Sequence, residues 1–255
     1  MVLDSAEWKS GATLVGVTDA LLQILHEEAD LLVVNKPAGL VCHPTKTGER
    51  SSLIGRARLH LGPEGTPHLV NRLDRETSGV TVIAKNADAA GELGVIWQNR
   101  SVRKEYWAIV HGSMRGDHHL IDAPLGKDEA SPVAIKDRVR ADGVAAQTEV
   151  TVRRRFHREE GEFSFVEVHP QSGRKHQIRI HLAHAGHPIV GDKLYGLDEK
   201  FYLDFVTDKL SAEQARRLIL PFQALHARSV EFEFRGERRA FGAEPEEWFV
   251  RFAEL

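Results

Sequence analysis

The stretch HLVNRLDRETSGVTV, residues 68–82, places one aspartate, Asp74, between two arginines, Arg72 and Arg75. It continues through polar turn-forming residues into an apolar, β-branched run that begins at Val80. Turn formers followed by such a run predict a loop that leads into a strand. We therefore expect Asp74 to lie in a loop immediately before a buried strand.

Short apolar runs rich in β-branched residues recur on both sides of this stretch. They predict strands at 31–34, 79–84, 106–110, 148–152, 163–168 and 230–234. Helices are predicted around 19–27, 51–60, 87–98, 175–185 and 211–219. Ser211 and Gln214 form a capping-box pattern at the start of the last helix. Because few β-α-β alternations occur, the pattern predicts an α+β fold with a mixed, mainly antiparallel sheet flanked by helices.

The chain shows no internal repeat and no Pro/Gly-rich linker, so we predict a single domain over residues 1–255. Residues 1–25 form an N-terminal lead, and residues 240–255 form a C-terminal tail. The tail is expected to pack as a helix through its aromatic side chains, Trp248, Phe249 and Phe252. Residues 112–146 are rich in turn formers and charge, which fits either an extended loop or a small hairpin.

The overall charge gives no general signal for nucleic acid. Lys plus Arg total 34 against 37 Asp plus Glu, a formal net charge of -3, so any site for a polyanion must be local. The single cysteine, Cys42, excludes an internal disulfide and suits a reducing compartment, where a buried packing role is expected. No signal peptide or membrane-spanning segment is visible at the N-terminus, so a cytoplasmic protein is expected.

Asp74 has a charge environment that favours ionisation. A neighbouring guanidinium lowers the pKa of a carboxyl group by roughly one to three units from about 3.9. An ionised Asp74 would suit nucleophilic or electrostatic work better than acid catalysis. The alternative is a salt-bridged, solvated loop, and this motif alone does not decide between the two.

The segment 169–196 is basic and histidine-rich. On a helix from about residue 175, Ile178, Leu182 and Ala185 would face the core, with His176 and Arg179 beside that stripe and able to reach inward. The histidines of this segment spread over about 140° of helix surface at about 100° per residue, without an HExxH pattern. This spread argues against a metal site formed by His176, His181, His184 and His187.

The segment SVRKEYWAIVHG, residues 101–112, puts Lys104 and Tyr106 on one face of a predicted strand. A tyrosine in such a position is either a packing residue or, where a base must be bound, a stacking residue. Further arginines nearby in sequence and later in the chain could contact phosphates locally: Arg100, Arg103, Arg153, Arg154 and Arg155.

Taken together, these segments resemble the RluA-type pseudouridine synthases, which isomerise uridine in structured RNA. The resemblance rests on four motifs in the expected order: DLLVVNKPAGLVCHP (30–44), NRLDRETSG (71–79), RKEYWAIVHG (103–112) and SGRKHQIRIHLAHAGHPIVGDKLYG (172–196). It implies the pseudouridine-synthase fold, with RNA as the partner, either ribosomal or transfer RNA. It implies neither a metal nor a cofactor, and we expect a monomer that binds neither DNA nor a membrane.

By this resemblance Asp74 is the catalytic aspartate, Tyr106 stacks on the target base, and Arg179 is the basic partner of Asp74. Arg72 would fill the gap that a flipped nucleotide leaves. The positions implied to bind RNA are Arg72, Arg75, Lys104, Arg174, Lys175 and His176.

Two departures from the family pattern are visible. Asn71 stands where many members have His, and because the lead before the first strand is short we expect none of the small N-terminal RNA-binding domain that some members carry. The principal alternative is a non-catalytic RNA-binding or ribosome-assembly protein with the same fold. A metal-dependent hydrolase that uses the histidines is a second alternative.

Overall fold

The computed structural model describes residues 21–44 and 48–255. These residues form two compact units, one from the chain up to Lys104 together with His226–Leu255, the other from Glu105–Leu225. The predicted N-terminal lead lies outside the described residues, apart from its last five positions. That residues 1–255 form a single domain stays a prediction.

The described residues contain the following strands and helices. The strands are β1 (Gln23–Glu27), β2 (Leu31–Lys36), β3 (His68–Leu69), β4 (Ser78–Ala84), β5 (Val102–His111), β6 (His118–Asp122), β7 (Leu125–Lys127), β8 (Asp137–Val139), β9 (Gln147–Arg158), β10 (Gly161–Pro170), β11 (Leu225–Phe234) and β12 (Glu237–Gly242). The α-helices are α1 (Leu53–Leu61), α2 (Ala87–Gln98), α3 (Gln177–His184), α4 (Lys200–Val206), α5 (Ala212–Leu218) and α6 (Glu247–Ala253).

The first unit is built around β2 and β4, whose residues are all buried. β2 pairs antiparallel with both β1 and β4, while β4 also pairs antiparallel with β3 and parallel with β11. A hairpin joins β11 to β12. Because side chains alternate along a strand, β2 and β4 supply both faces of the sheet. One face packs on α2 and the other on α1, which explains why both strands read as continuous apolar runs.

The second unit contains an antiparallel sheet in the order β5, β10, β9, β6. β7 and β8 form a separate antiparallel hairpin. A small apolar cluster of Leu125, Ala146 and Ile180 joins this hairpin region to α3, with Val139 and Tyr195 packed against it. Residues 112–146 therefore contain a strand at the sheet edge followed by a hairpin, the second of the two predicted possibilities.

The predicted fold class is confirmed: the described chain is α+β with a mixed, mainly antiparallel sheet flanked by helices. All six predicted strands are present, and so is the capping box at Ser211 and Gln214. In the tail, α6 buries Phe249 and Phe252, as expected. No helix in the described ranges has both the length and the apolar character that crossing a membrane requires.

Two local predictions were wrong. A helix was predicted over 19–27, but Gln23–Glu27 is a strand, because pairing with the buried β2 overrides local helix propensity. Ala185 was expected to face the core, but α3 ends at His184, and Ala185 is its exposed C-cap. Ile178 and Leu182 are buried as predicted.

Candidate active site

Asp74 lies in the loop between β3 and β4 and is half-buried. The backbone turns at this point, since the Thr77 amide donates to the Asp74 carbonyl at 3.2 Å. The Arg75 carbonyl accepts from the Gly39 amide at 2.9 Å, and the Arg75 side chain donates through Nε to the Gly39 carbonyl at 3.2 Å. Residues after β2 therefore hold the Asp74 loop from one side, while the Arg72 side chain is exposed.

Lys36, the last residue of β2, is fully buried beneath this loop. Its Nζ donates to the carbonyls of Pro37 at 2.9 Å, Leu40 at 2.8 Å and Arg75 at 3.1 Å. Burial lowers the pKa of Lys36 to about 8, an effect that nearby groups, including Asp74, partly oppose. The ammonium group thus ties together two loops that carry no regular secondary structure of their own at these positions.

Asn71 fixes the start of the same loop to β4. Its Nδ2 donates to the Val80 carbonyl at 3.2 Å, and its Oδ1 accepts from the Val82 amide at 2.7 Å. A carboxamide carries one donor and one acceptor side by side, so it pairs with a strand edge as another strand would. This contact gives Asn71 a structural role at the start of the loop.

Gly79 allows β4 to approach β11 closely. A Cβ at this position would lie 2.2 Å from the carbonyl oxygen of Ala227. Its φ of +114° also lies in the region that favours glycine. The end of the NRLDRETSG motif is therefore set by the packing of two strand backbones.

In the second unit Tyr106 lies on β5, opposite Val168 of β10, and is half-buried. Lys104 precedes it by two residues on the same strand, which confirms that both side chains share a face. Burial lowers the pKa of Lys104, and the positive charge of Arg100 lowers it further.

Arg179 lies within α3 and makes a bidentate ion pair with Asp192. The distances are 2.7 Å from Nε to Oδ2 and 2.9 Å from Nη2 to Oδ1. Burial opposes ionisation of Asp192, but Arg179 and the backbone amides of Tyr195 and Leu194 outweigh it and lower the pKa of this carboxyl group. The Arg179 guanidinium also lies 5.0 Å from the centroid of the Tyr195 ring. Its orientation is therefore fixed within its own unit.

The other predicted RNA-binding residues of the second unit lie at the start of α3. Arg174 is exposed, and Lys175 pairs with Asp137 at 2.9 Å. His176 is in the left-handed conformation, with φ of 56°, and its Nδ1 lies 2.9 Å from the Tyr195 hydroxyl. The buried Gln177 accepts from the Arg174 amide and so orders this turn.

The histidines that were predicted not to form a metal site contact different partners. His181 is buried between the Thr148 hydroxyl, at 2.8 Å, and the Ala123 carbonyl, at 2.9 Å. His187 contacts the His111 carbonyl at 2.8 Å, and His184 is exposed.

A different cluster of side chains with ligand atoms within 4.8 Å of one another occurs on the β5–β10 pair: Glu105, Glu167 and His169. Strand alternation puts these three on the face opposite Tyr106. Glu167 is already bound there by Arg153 and His169, at 2.6 and 2.8 Å. The cluster is therefore a polar network of the sheet.

Sequence reasoning missed Lys36 and Asp192, which both hold predicted site residues in place. Each is a charged residue inside an otherwise apolar run, in LLVVNKPAG and HPIVGDKLYG. Because charged side chains are rarely buried without partners, such positions were the available signal. The identity of their partners depends on the fold.

A family model, curated relatives and solved structures all relate this chain to RNA pseudouridine synthases. The family model described as RNA pseudouridylate synthase matches residues 30–184. Ribosomal large subunit pseudouridine synthase D of Pseudomonas aeruginosa is 34% identical over 239 residues, covering 91% of this chain and 70% of the relative.

An uncharacterized RNA pseudouridine synthase of Bacillus subtilis is 38% identical over 185 residues, or 69% of this chain. The chain spans only 58% of that relative's length. Among solved structures, human RNA pseudouridylate synthase domain containing 4 aligns with a TM-score of 0.69 at 27% identity, covering 91% of this chain and 92% of that chain.

Proposed function

Because this chain belongs to the RNA pseudouridylate synthase family, we propose that it isomerises a specific uridine in structured RNA to pseudouridine, with Asp74 as the catalytic residue. Enzymes of this family are isomerases that act on uridine in RNA. The observation that carries the proposal is the Asp74 loop, whose RLDRETSG sequence lies in the matched segment and is tied to Lys36 and Gly39.

The proposed reaction begins with extrusion of the target base. A stacked uridine does not expose its glycosidic bond, so it must be flipped out at a cost of a few kcal/mol. The exposed Arg72 is suited to fill the vacated space, and Tyr106 to stack on the extruded base. The remaining basic side chains, Arg75, Lys104, Arg174, Lys175 and His176, are proposed to contact the RNA.

The chemical step exchanges one bond of the uracil for another. The C1′–N1 bond breaks, the uracil rotates, and C5 bonds to C1′; C5 then loses its proton and N1 takes up a proton, so the product is an isomer of uridine. Asp74 acts in its ionised form in each possible route: attack at C1′, addition to C6, or removal of a sugar proton. The reaction involves neither oxidation nor an external group, and we therefore propose no cofactor. Arg179 is proposed as the basic partner of the Asp74 carboxylate.

Ribosomal RNA is the favoured substrate class. The Pseudomonas aeruginosa relative, of whose length this chain covers 70%, is named as a ribosomal large subunit pseudouridine synthase. Transfer RNA is the second possibility. We propose that the protein works in the cytoplasm as a monomer, without binding DNA or a membrane.

The test of this function is a transcriptome-wide pseudouridine map of cells that lack the protein. The deletion is complemented separately with the wild type, Asp74→Asn and the exposed control Asp142→Asn. We expect one or more sites to be lost in the deletion and restored by the wild type and the control, but not by Asp74→Asn. The purified Asp74→Asn protein should bind the same RNA within about tenfold of the wild type, because it keeps its volume and every phosphate contact.

Substantial turnover by Asp74→Asn would overturn the assignment of this residue. RNA binding without product by the wild type would instead favour a non-catalytic RNA-binding or ribosome-assembly protein. Tyr106→Phe separates two roles of the ring: retained binding with poor turnover is expected if the hydroxyl takes the C5 proton, and a near-normal rate would leave stacking alone.

A further inference from the structure

Tyr195 of the second unit lies against two of the predicted site residues, His176 and Arg179. Its hydroxyl oxygen is 2.9 Å from His176 Nδ1, and its ring centroid is 5.0 Å from the central carbon of the Arg179 guanidinium. Residues three apart at the start of a helix are neighbours on one side of it, so one side chain can contact both. Tyr195 is therefore placed to set the orientation of both residues.

The turn that carries Tyr195 is fixed by Asp192. The carboxylate oxygen Oδ1 of Asp192 accepts from the amides of Leu194 at 2.9 Å and Tyr195 at 3.0 Å. The turn closes at Gly196, where a Cβ would lie 2.3 Å from the Asp192 carbonyl oxygen. Asp192 is also the bidentate partner of Arg179. The same carboxylate therefore holds the guanidinium and the turn that places the ring over it.

Hydrogen-bond accounting gives the direction of the contact between Tyr195 and His176. The Tyr195 hydroxyl has one hydrogen, and its oxygen accepts from the Asp137 amide at 3.2 Å. Among the described contacts, His176 Nδ1 is the acceptor that remains for the hydroxyl hydrogen. Burial raises the pKa of the Tyr195 hydroxyl, so it keeps this hydrogen at neutral pH. When Nδ1 accepts, His176 is neutral and carries its own hydrogen on Nε2.

The backbone of His176 also has a constrained conformation. His176 is the N-cap of α3, and its φ of 56° lies in the left-handed region that few non-glycine residues adopt. Its carbonyl accepts from the Ile180 amide at 3.0 Å, and its ring meets the Tyr195 ring edge to face, with the centroids 5.6 Å apart. Such conformations persist where the surroundings determine them. Tyr195 is part of those surroundings.

A histidine held in this tautomer has a defined binding chemistry. Its Nδ1 is occupied by the Tyr195 hydroxyl, so the group that it offers to a ligand is the Nε2–H donor. The two preceding residues, Arg174 and Lys175, are exposed cations. A hydrogen-bond donor next to positive charges matches a phosphate oxygen of an RNA backbone, which accepts hydrogen bonds and carries negative charge.

We propose that Tyr195 is a positioning residue with two roles: its hydroxyl holds His176 as a donor to a phosphate oxygen of the RNA, and its ring holds Arg179 as the partner of Asp74. This inference rests on the proposed function, which makes RNA the ligand and gives Arg179 its role. The two parts of the side chain then have separable effects. Loss of the hydroxyl weakens RNA binding, whereas weakening of the ring contact slows turnover.

The first test measures RNA binding and steady-state kinetics on one RNA substrate. We expect Tyr195→Phe to raise Kd and KM about threefold to tenfold, the value of one hydrogen bond. Its kcat should stay within about twofold of the wild type, because phenylalanine keeps the ring over Arg179. The control is Tyr202→Phe, which removes the hydroxyl of a half-buried tyrosine on α4 and should leave Kd, KM and kcat within about twofold.

The contribution of the ring is tested at nearly constant shape. A trifluorinated phenylalanine at position 195 withdraws negative charge from the face of the ring and so weakens its attraction for the Arg179 guanidinium. We expect kcat to fall about threefold relative to Tyr195→Phe, with KM unchanged, because Arg179 is then held less firmly. An equal kcat in the two proteins would overturn the role of the ring.

A double-mutant cycle distinguishes positioning of His176 from general structural support. If the hydroxyl acts through His176, Tyr195→Phe should weaken RNA binding no further in a protein that already carries His176→Ala. Additive losses in the double variant would overturn the role of the hydroxyl. So would wild-type Kd and KM in Tyr195→Phe, or an equal loss of binding in Tyr202→Phe.

A second measurement is independent of turnover. Long-range ¹H–¹⁵N spectra of protein labelled with ¹⁵N at histidine show which ring nitrogen carries hydrogen, and the signals that vanish in His176→Ala belong to His176. At about pH 8, where an ordinary histidine is neutral, we expect the Nε2–H tautomer in the wild type and Tyr202→Phe, and a mixture of tautomers in Tyr195→Phe. An Nδ1–H tautomer in the wild type would overturn the proposal. If the wild type makes no pseudouridine, the proposed function fails, while these spectra still decide the contact between Tyr195 and His176.

Discussion

Replacing Lys36 with methionine should remove a pH-dependent part of the stability of the first unit. The fully buried ammonium group donates to three backbone carbonyls, two of which, those of Pro37 and Leu40, have no other donor among the described contacts. Methionine fills a similar volume but donates nothing. We expect Lys36→Met to be less stable than the wild type by about 1–3 kcal/mol at pH 7.

The change of this difference with pH is the sharper prediction. The folded-state pKa of Lys36 is lowered from 10.5 to about 8, so between these values the unfolded chain holds a proton that the folded chain has released. Raising the pH through this window therefore favours the folded state, while below pH 8 both states are protonated and this gain is absent. At about 1.4 kcal/mol per pKa unit, the wild type should gain about 2–3 kcal/mol relative to Lys36→Met between pH 7 and pH 10.

Urea unfolding followed by tryptophan fluorescence at pH 7, 8, 9 and 10 measures this difference directly. Lys200→Met, which removes an exposed ammonium group on α4, controls for the loss of one surface charge and should stay within about 1 kcal/mol of the wild type at each pH. A constant difference between wild type and Lys36→Met across this range would refute the argument that burial sets the charge state of Lys36.

Three further substitutions test the supports of the candidate site by thermal unfolding. Arg179→Met leaves the buried Asp192 unpaired and should cost about 3–5 kcal/mol, part of which Asp192→Asn in the same chain should restore; no recovery would refute the ion pair as the cause. Asn71→Ala leaves an amide and a carbonyl of β4 unpaired and should cost about 1–3 kcal/mol, so an unchanged melting temperature would contradict its role. Gly79→Ala should cost at least about 2 kcal/mol because its Cβ meets the backbone of β11, whereas Gly91→Ala, with open space on α2, should not destabilise.

The elements that the sequence predicts well are those whose pattern is set by their own residues. β2 and β4 are buried on both faces and read as continuous apolar runs, and α2 begins and ends at the predicted residues, 87 and 98. The wrong element is β1, which is only partly buried and owes its extended form to its neighbour β2. A segment that is extended because it pairs with a buried neighbour need not carry an alternating apolar pattern of its own.

The same distinction applies to the candidate site. Asp74, Tyr106 and Arg179 were predicted because they stand in motifs that can be read along the chain, and their catalytic roles stay predictions. The supports of the Asp74 loop were not predicted, because those partners are separated widely in sequence, whereas Asp192 stands only 13 residues from Arg179 and its pairing depends on how the chain turns between them. Glu246 meets Ala38 across 208 residues, and Ser78 meets His226 across 148. No window of sequence contains both members of such a pair.

The topology of the first unit explains why these supports come from distant segments. The Asp74 loop has no regular hydrogen bonding of its own, so its backbone groups must be satisfied by neighbours. Its exit is the first residue of β4, and the strands that flank β4 are β2 and β11. Lys36 stands at the end of one flanking strand, and His226 near the start of the other. Because β4 is parallel to β11 and antiparallel to β2, these two positions meet at the end of the sheet from which the loop emerges. An aspartate in this loop is held by residues of both strands that flank β4. A substitution in either flanking strand is therefore expected to affect Asp74, although the substituted residue itself does not contact RNA.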